Sequence, residues 1–239
     1  MNTTVTQRNS DLDLFFRAAF SIDLVLFAYI KGNLKLLLVN KEETSPHHQK
    51  GLPGMLIFPN EDTDQAIIKL SAKYIGTTDF YHKQLRAFTE VGRHPEGRVI
   101  TIAYYGLISV DKLSDDIEEN QSWYNVDDLP PLTYDHEKII KVARHKFCKG
   151  LLRHPTVFEL LPEHFVLSDM IRIYEQAFRR KLDSPNFRRQ ARDSGLITPI
   201  GEKKSAEGQL GRRPQLYTTV AKSSKARIKE SIGFNLQVA

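Results

Sequence analysis

The chain changes character at Pro130-Pro131, and that break limits the folds open to it. Before it lie "SIDLVLFAYI" and "LKLLLVN", apolar runs rich in strand formers and separated by Lys31-Gly32-Asn33, a hairpin signal. "KQLRAFTEVG" and "RVITIAYYGLIS" read as two further strands, and "EDTDQAIIKLSAKYIG" as a helix with acids at its start and Gly76 as its stop. After the break the apolar spacing becomes helical. Ile139, Val142, Ala143, Phe147 and Leu151 share one stripe, and Met170, Ile173, Tyr174 and Phe178 another, behind Ser168 as N-cap. These patterns predict an α/β unit over 1–134 and an α+β unit over 135–239.

Charge divides along the same line. Residues 1–137 hold 13 Lys and Arg against 20 Asp and Glu, a net −7. Residues 138–239 hold 21 against 9, a net +12. An acidic half joined to a basic half implies that the basic one meets a polyanion. No apolar run approaches the roughly 20 residues of a membrane helix, and the polar, acid-bearing start is unlike a signal peptide. Cys148 is the one cysteine, so neither an intrachain disulfide nor a Cys-based zinc site is available. A cytoplasmic protein is expected.

In the basic half, "SPNFRRQARDSG" has the composition of a recognition helix. Starting near Ser184, it presents Asn186, Arg189 and Gln190 for base edges, because Asn pairs with adenine and Arg with guanine. Arg188 and Arg192, four apart, suit phosphates, while Phe187 and Ala191 turn inward. "GEKKSAEGQLGRRPQLY" then reads as a hairpin wing carrying Lys203, Lys204, Arg212 and Arg213 at its tip. Helix, helix, basic helix and hairpin describe a winged helix-turn-helix on double-stranded DNA.

In the acidic half, "LPGMLIFPNEDTDQAIIKLSAKYIG" resembles a Nudix box from which the chemistry has been removed. The box, G-x5-E-x7-R-E-U-x-E-E-x-G-U, gathers hard divalent cations with glutamates on one helix face. Here the Pro-Gly turn, Glu61 and Gly76 are in register. Met55 replaces the first glycine, Lys69 the arginine, and Leu70, Lys73 and Tyr74 the three glutamates. An ammonium at 73 would repel the dication that the box holds. No catalytic residue, metal or cofactor is therefore expected.

With "FELLPEHFVLSDMIRIYEQA", "LDSPNFRRQARDSGLI" and "GRRPQLY" added, the chain from about residue 20 to 220 resembles the Nudix-related transcriptional regulators. That resemblance implies a Nudix-like α/β/α sandwich as sensor and a C-terminal winged helix. It also implies a homodimer whose operator affinity answers to a small metabolite. Relatives in this family respond to ADP-ribose-type ligands in NAD metabolism or, in a Bacteroidetes branch, to L-arabinose. A box without metal ligands leaves a diphosphate unneutralised, which favours a small sugar such as L-arabinose. The alternatives are ADP-ribose, a nucleotide sugar, or a divergent nucleoside-diphosphate hydrolase. Candidate effector contacts are Asp23 on the first strand, Lys41 after the second, and Met55 and Phe58 around the turn. Arg93, His94, Arg98 and Tyr104 join them from the later strands.

Overall fold

The computed structural model describes residues 17–41, 50–95, 97–113, 121–202 and 214–220. Its centre is β1 (Ala19–Ile30), of which Ile22 to Tyr29 are all buried. Lys31 and Gly32 both take positive φ, 50° and 82°, and close a two-residue turn that lays β2 (Asn33–Asn40) antiparallel to β1. Short β3 (Lys50–Gly51) pairs with β2 and β4 (Gly54–Leu56) with β1. β5 (Tyr81–Phe88) and β6 (Val99–Ile108) form a second antiparallel pair, and β6 runs parallel to β1. β7 (Gln121–Asn125), which the periodicity did not announce, pairs with β2. The order is β3-β2-β1-β6-β5, with β4 and β7 branching off.

Side chains alternate across this sheet, so the two faces hold two cores. Ile22, Leu24, Leu26 and Ala28 face α1 (Thr63–Ile75), which buries Ala66, Ile67, Leu70 and Ile75 against them. Asp62 and Gln65 form a capping box at the start of α1, and Gly76, φ 75°, closes its end. Val25, Phe27 and Tyr29 face the other way, onto α2 (His136–Arg153). Most of the expected α2 stripe is buried there: Ile139, Ala143, Phe147 and Leu151 are each at most 1% exposed, while Val142 is half-buried at the edge. The Phe147 ring stacks on Phe27 at 5.0 Å.

The same core continues into the C-terminal elements. α3 (Leu167–Phe178) buries Met170, Ile173 and Tyr174; its N-cap is Val166, two residues ahead of the expected Ser168, and has no side-chain bond. α4 (Ser184–Asp193) follows, then a hairpin of β8 (Ile197–Glu202) and β9 (Gln215–Thr219). Phe165 and Tyr217 exchange two backbone hydrogen bonds and join this hairpin to the segment before α3.

Polar contacts seat α3 on the sheet. Gln176 Nε2 donates to Gly32 O (2.9 Å), and Leu34 N donates to Gln176 Oε1 (2.7 Å). Tyr29 Oη donates to Asp169 Oδ1 (3.1 Å); burial first, then Asp169, push that phenol up to about 12. Arg144 of α2 donates to Asp127 Oδ1 (2.6 Å) and to Gln176 O (3.0 Å) at the end of α3. Cys148 Sγ, raised in pKa by burial, donates to Ala177 O, which gives the thiol a packing role.

Phe147→Ala, which deletes the ring stacked on Phe27, is expected to lower stability by about 3–5 kcal/mol in urea unfolding. Exposed Ile68→Ala on α1 should stay within about 0.5 kcal/mol. Equal effects would contradict the shared α2 core.

Candidate functional site

Where β1 and β6 run side by side, the odd-numbered face turns polar. Ser21 lies opposite Thr101, with their hydroxyls 2.7 Å apart, and Asp23 lies opposite Ala103. The adjoining cavity is about 160 Å³. The turn 51–56 forms one wall through close backbone approach. A Cβ on Gly54 would lie 2.0 Å from Asp23 Oδ1. One on Gly51 would lie 2.7 Å from Thr133 Oγ1 and 2.9 Å from His136 Nδ1. Only glycine fits at either place. The Pro-Gly turn of the emptied box thus shapes a pocket wall.

Of the residues singled out from sequence, Asp23, Lys41, Met55, Arg93 and His94 line this cavity together. Three others do not. Tyr104 is 5% exposed and packs in the α1-side core, since even positions of β6 point away from Asp23. Arg98 donates to the backbone carbonyls of Thr89 (2.6 Å) and Glu90 (3.2 Å) and braces its own loop. Phe58 lies past the end of β4, is 59% exposed and is not among the lining residues. Sequence reading passed over Ser21 and Thr101, and also Tyr134 and His136 from the segment leading into α2. An aromatic and a histidine flanking an aspartate at a helix start are the signal that would have found the last two.

Arg93 and His136 are buried at the cavity and specifically paired. Arg93 donates through Nε to Asp135 Oδ2 (3.0 Å) and through Nη2 to Asp135 Oδ1 (2.6 Å), a bidentate pair with side chains 4% and 7% exposed. Arg93 Nη1 also donates to Thr101 Oγ1. His136 Nδ1 accepts from Leu52 N at 3.0 Å, which leaves the proton on Nε2, 3.7 Å from Asp23 Oδ2. Burial lowers the His136 pKa more than Asp23 raises it, so the ring is neutral. Burial likewise lowers the Lys41 pKa, with Asp23 opposing. The His94 ring stacks on Tyr134 at 4.5 Å.

On the opposite face, α1 packs against the sheet through Ala66, Ile67, Leu70 and Ile75. Leu70, at a position where the Nudix box has glutamate, is fully buried, and the Lys73 ammonium sits 5.0 Å over the Tyr74 ring. Glu61 bonds Lys69 at 2.5 Å, and this bond holds its carboxyl below the usual range. No residue of α1 is among those lining the cavity.

The recognition-helix candidates form a second site. Asp183 caps α4 by accepting from Asn186 N (3.2 Å), so Ser184 occupies the first helical turn. Phe187 and Ala191 are buried, and the Phe187 ring meets Tyr174 of α3 edge-on at 5.3 Å. Arg188, Arg189 and Arg192 are exposed, Asn186 and Gln190 half-buried. Arg189 Nη2 donates to Asn186 Oδ1 (2.8 Å), so these two base-reading candidates hold each other. Lys203, Lys204, Arg212 and Arg213 lie outside the described residues.

Residues 157–219 match the family model described as the NrtR DNA-binding winged helix domain. The fold is similar to that of Shewanella oneidensis NrtR complexed with a 27mer DNA (26% identity, TM-score 0.71). That match covers 84% of this chain and 93% of that one. In its winged helix and in its overall fold the chain is similar to the NrtR regulators. It is a DNA-binding regulator with a Nudix domain ahead of a winged helix. Among curated relatives, the ADPR responsive transcriptional repressor of Acinetobacter baylyi is 24% identical over 206 residues, 82% of this chain and 80% of the relative. An ADP-ribose pyrophosphatase of Methanocaldococcus jannaschii is 25% identical over 129 residues, 54% of this chain and 74% of that protein. Among the described residues, no helix is long and apolar enough to cross a membrane.

A neutral buried His136 has a pH signature. Its folded pKa lies below the ordinary value of about 6.5, so its contribution to stability is complete above that pH. The contribution falls away as pH drops through about 6.5 towards the folded value, at no more than about 1.4 kcal/mol per unit for one proton. In urea unfolding from pH 8 to 5, His136→Gln, whose Oε1 can still accept Leu52 N–H, should lose this slope. A variant with the wild-type slope would place the titration elsewhere.

Proposed function

We propose that this regulator senses ADP-ribose, or a closely related nucleotide diphosphate sugar, in the Asp23–Lys41–Arg93 cavity and changes its operator affinity in response. The observation that carries this reading is a buried guanidinium, Arg93, and a half-buried ammonium, Lys41, facing one small cavity beside the carboxylate of Asp23. The two cations can neutralise a diphosphate where no metal cluster does. The similarity to an ADPR responsive repressor over four-fifths of both chains supports the same ligand class. The pentose expectation has no such support.

Size directs the ligand's pose. Pockets that engulf a drug-sized molecule run to about 300–1,000 Å³, whereas this one is about 160 Å³. It admits the phosphoribose end and leaves the base at the mouth, where Leu56 is 58% exposed. His136 Nε2–H and the hydroxyls of Ser21 and Thr101 supply donors and acceptors for sugar hydroxyls.

The α1 face, with Leu70, Lys73 and Tyr74 in place of glutamates, gives no purchase to a divalent cluster, so binding proceeds without hydrolysis. At the other end α4 reads the operator. Asn186 and Arg189 exchange their mutual bond for base edges, and Arg188 and Arg192 meet phosphates. A homodimer would set two such helices one DNA turn apart, about 34–36 Å.

Fluorescence anisotropy on DNA from upstream of its own gene tests this. ADP-ribose, in EDTA, should shift the apparent Kd about 5- to 150-fold, and L-arabinose should not. With Mg²⁺ present ADP-ribose should be recovered intact, for Glu61→Gln as for the wild type. A shift by arabinose alone, or Glu61-dependent turnover, contradicts the reading.

A further inference from the structure

Asp135 stands at the N-cap position of α2 yet makes no capping bond. Aspartate there ordinarily accepts from the first-turn N–H groups. Here both carboxylate oxygens are taken by Arg93, which reaches in from the β5–β6 loop and lines the cavity. The next linker residue upstream is under a second constraint. Tyr134 has φ 53°, in the left-handed region that a bulky side chain avoids, and its ring is gripped by His94. The segment 134–136 therefore forms part of the cavity boundary and is also the start of the helix that leads to the DNA-binding elements. Strained backbone of this kind is typical of switch segments.

From α2 the path onward is continuous. Arg144 holds carbonyls at the end of α3, and Tyr174 of α3 packs against Phe187 of α4.

We propose that Arg93 and Asp135 form a latch, and that a phosphate group of the effector opens it by taking the Arg93 guanidinium from Asp135. The freed carboxylate then caps the first turn of α2, Tyr134 leaves its left-handed conformation, and α2 carries the change to α3 and α4. This rests on the reading of the cavity as a nucleotide site and adds how occupancy reaches the DNA. It also separates ligand classes. Removing one partner of a buried ion pair leaves the other charge uncompensated. Only an anion can replace Asp135 on Arg93, so a neutral pentose that enters the cavity leaves the latch shut.

The test uses the full chain, Asp135→Asn and Asp135→Ser; serine keeps a capping oxygen but cannot hold Arg93 as a carboxylate does. Calorimetry with ADP-ribose in EDTA and anisotropy on the upstream DNA are the two readouts, with thermal melts to establish folding. Folded variants should bind ADP-ribose more tightly, within the about 5- to 150-fold range of allosteric coupling. Without ligand, their DNA affinity should already equal that of ADP-ribose-saturated wild type. A folded variant unchanged in either readout overturns the latch and leaves the effector reading standing. A wild type that binds no ADP-ribose overturns both. If the asparagine variant fails to fold, the serine variant decides.

Discussion

The period-two alternation of β1 is the constraint on which the rest depends. Ile22 to Tyr29 are buried without interruption, so every side chain of that run must find a partner on one face or the other. Even positions are covered by α1 and odd positions by α2 and α3. One strand thereby commits α1 and the helices of the DNA-binding half to opposite sides of a single sheet. A one-residue slip would exchange the two sets and place Asp23 in the α1 core.

Metal chemistry in a Nudix frame belongs to the helix with the glutamates. With Leu, Lys and Tyr at positions 70, 73 and 74, α1 contributes burial and an aromatic-cation contact. The polar groups that remain concentrate on the other face, where Asp23, Lys41, Arg93 and His136 converge beside the linker. The Pro-Gly turn has a geometric role, since Gly54 and nearby Gly51 let the backbone approach Asp23 and His136. A regulator gains from this arrangement, because a ligand acts on a distant element only through contacts that differ between two states.

Much of the fold was legible in the residues. The Lys31-Gly32 turn, the cap and stop of α1, the buried stripe of α2 and the inward Phe187 and Ala191 follow from local rules that tertiary contacts did not overturn. β7 was obscured because its pairing with β2 is non-local and "QSWYN" lacks clean alternation. The site was half legible. Asp23, Lys41, Met55, Arg93 and His94 converge as expected, but Tyr104 required knowing which parity of β6 faces the cavity. Arg98 resembled Arg93 in type and neighbourhood, and only the loop's folding assigns one to carbonyls and the other to a buried carboxylate. His136 and Tyr134 sat across the apparent boundary and read as helix start and linker. Sequence distance hid them, since residues 23 and 136 meet only when α2 crosses the sheet.

The central claim is that the ligand cavity adjoins the segment leading to the DNA-binding elements and not α1, the helix in the Nudix-box position. Hydrogen–deuterium exchange on the full chain, with and without ADP-ribose in EDTA, tests it most directly. The account predicts altered protection at 51–56, at 134–139 and onward through α3 and α4, with α1 unchanged. Changes confined to α1 and the residues around Glu61, with none at 134–139, would contradict it.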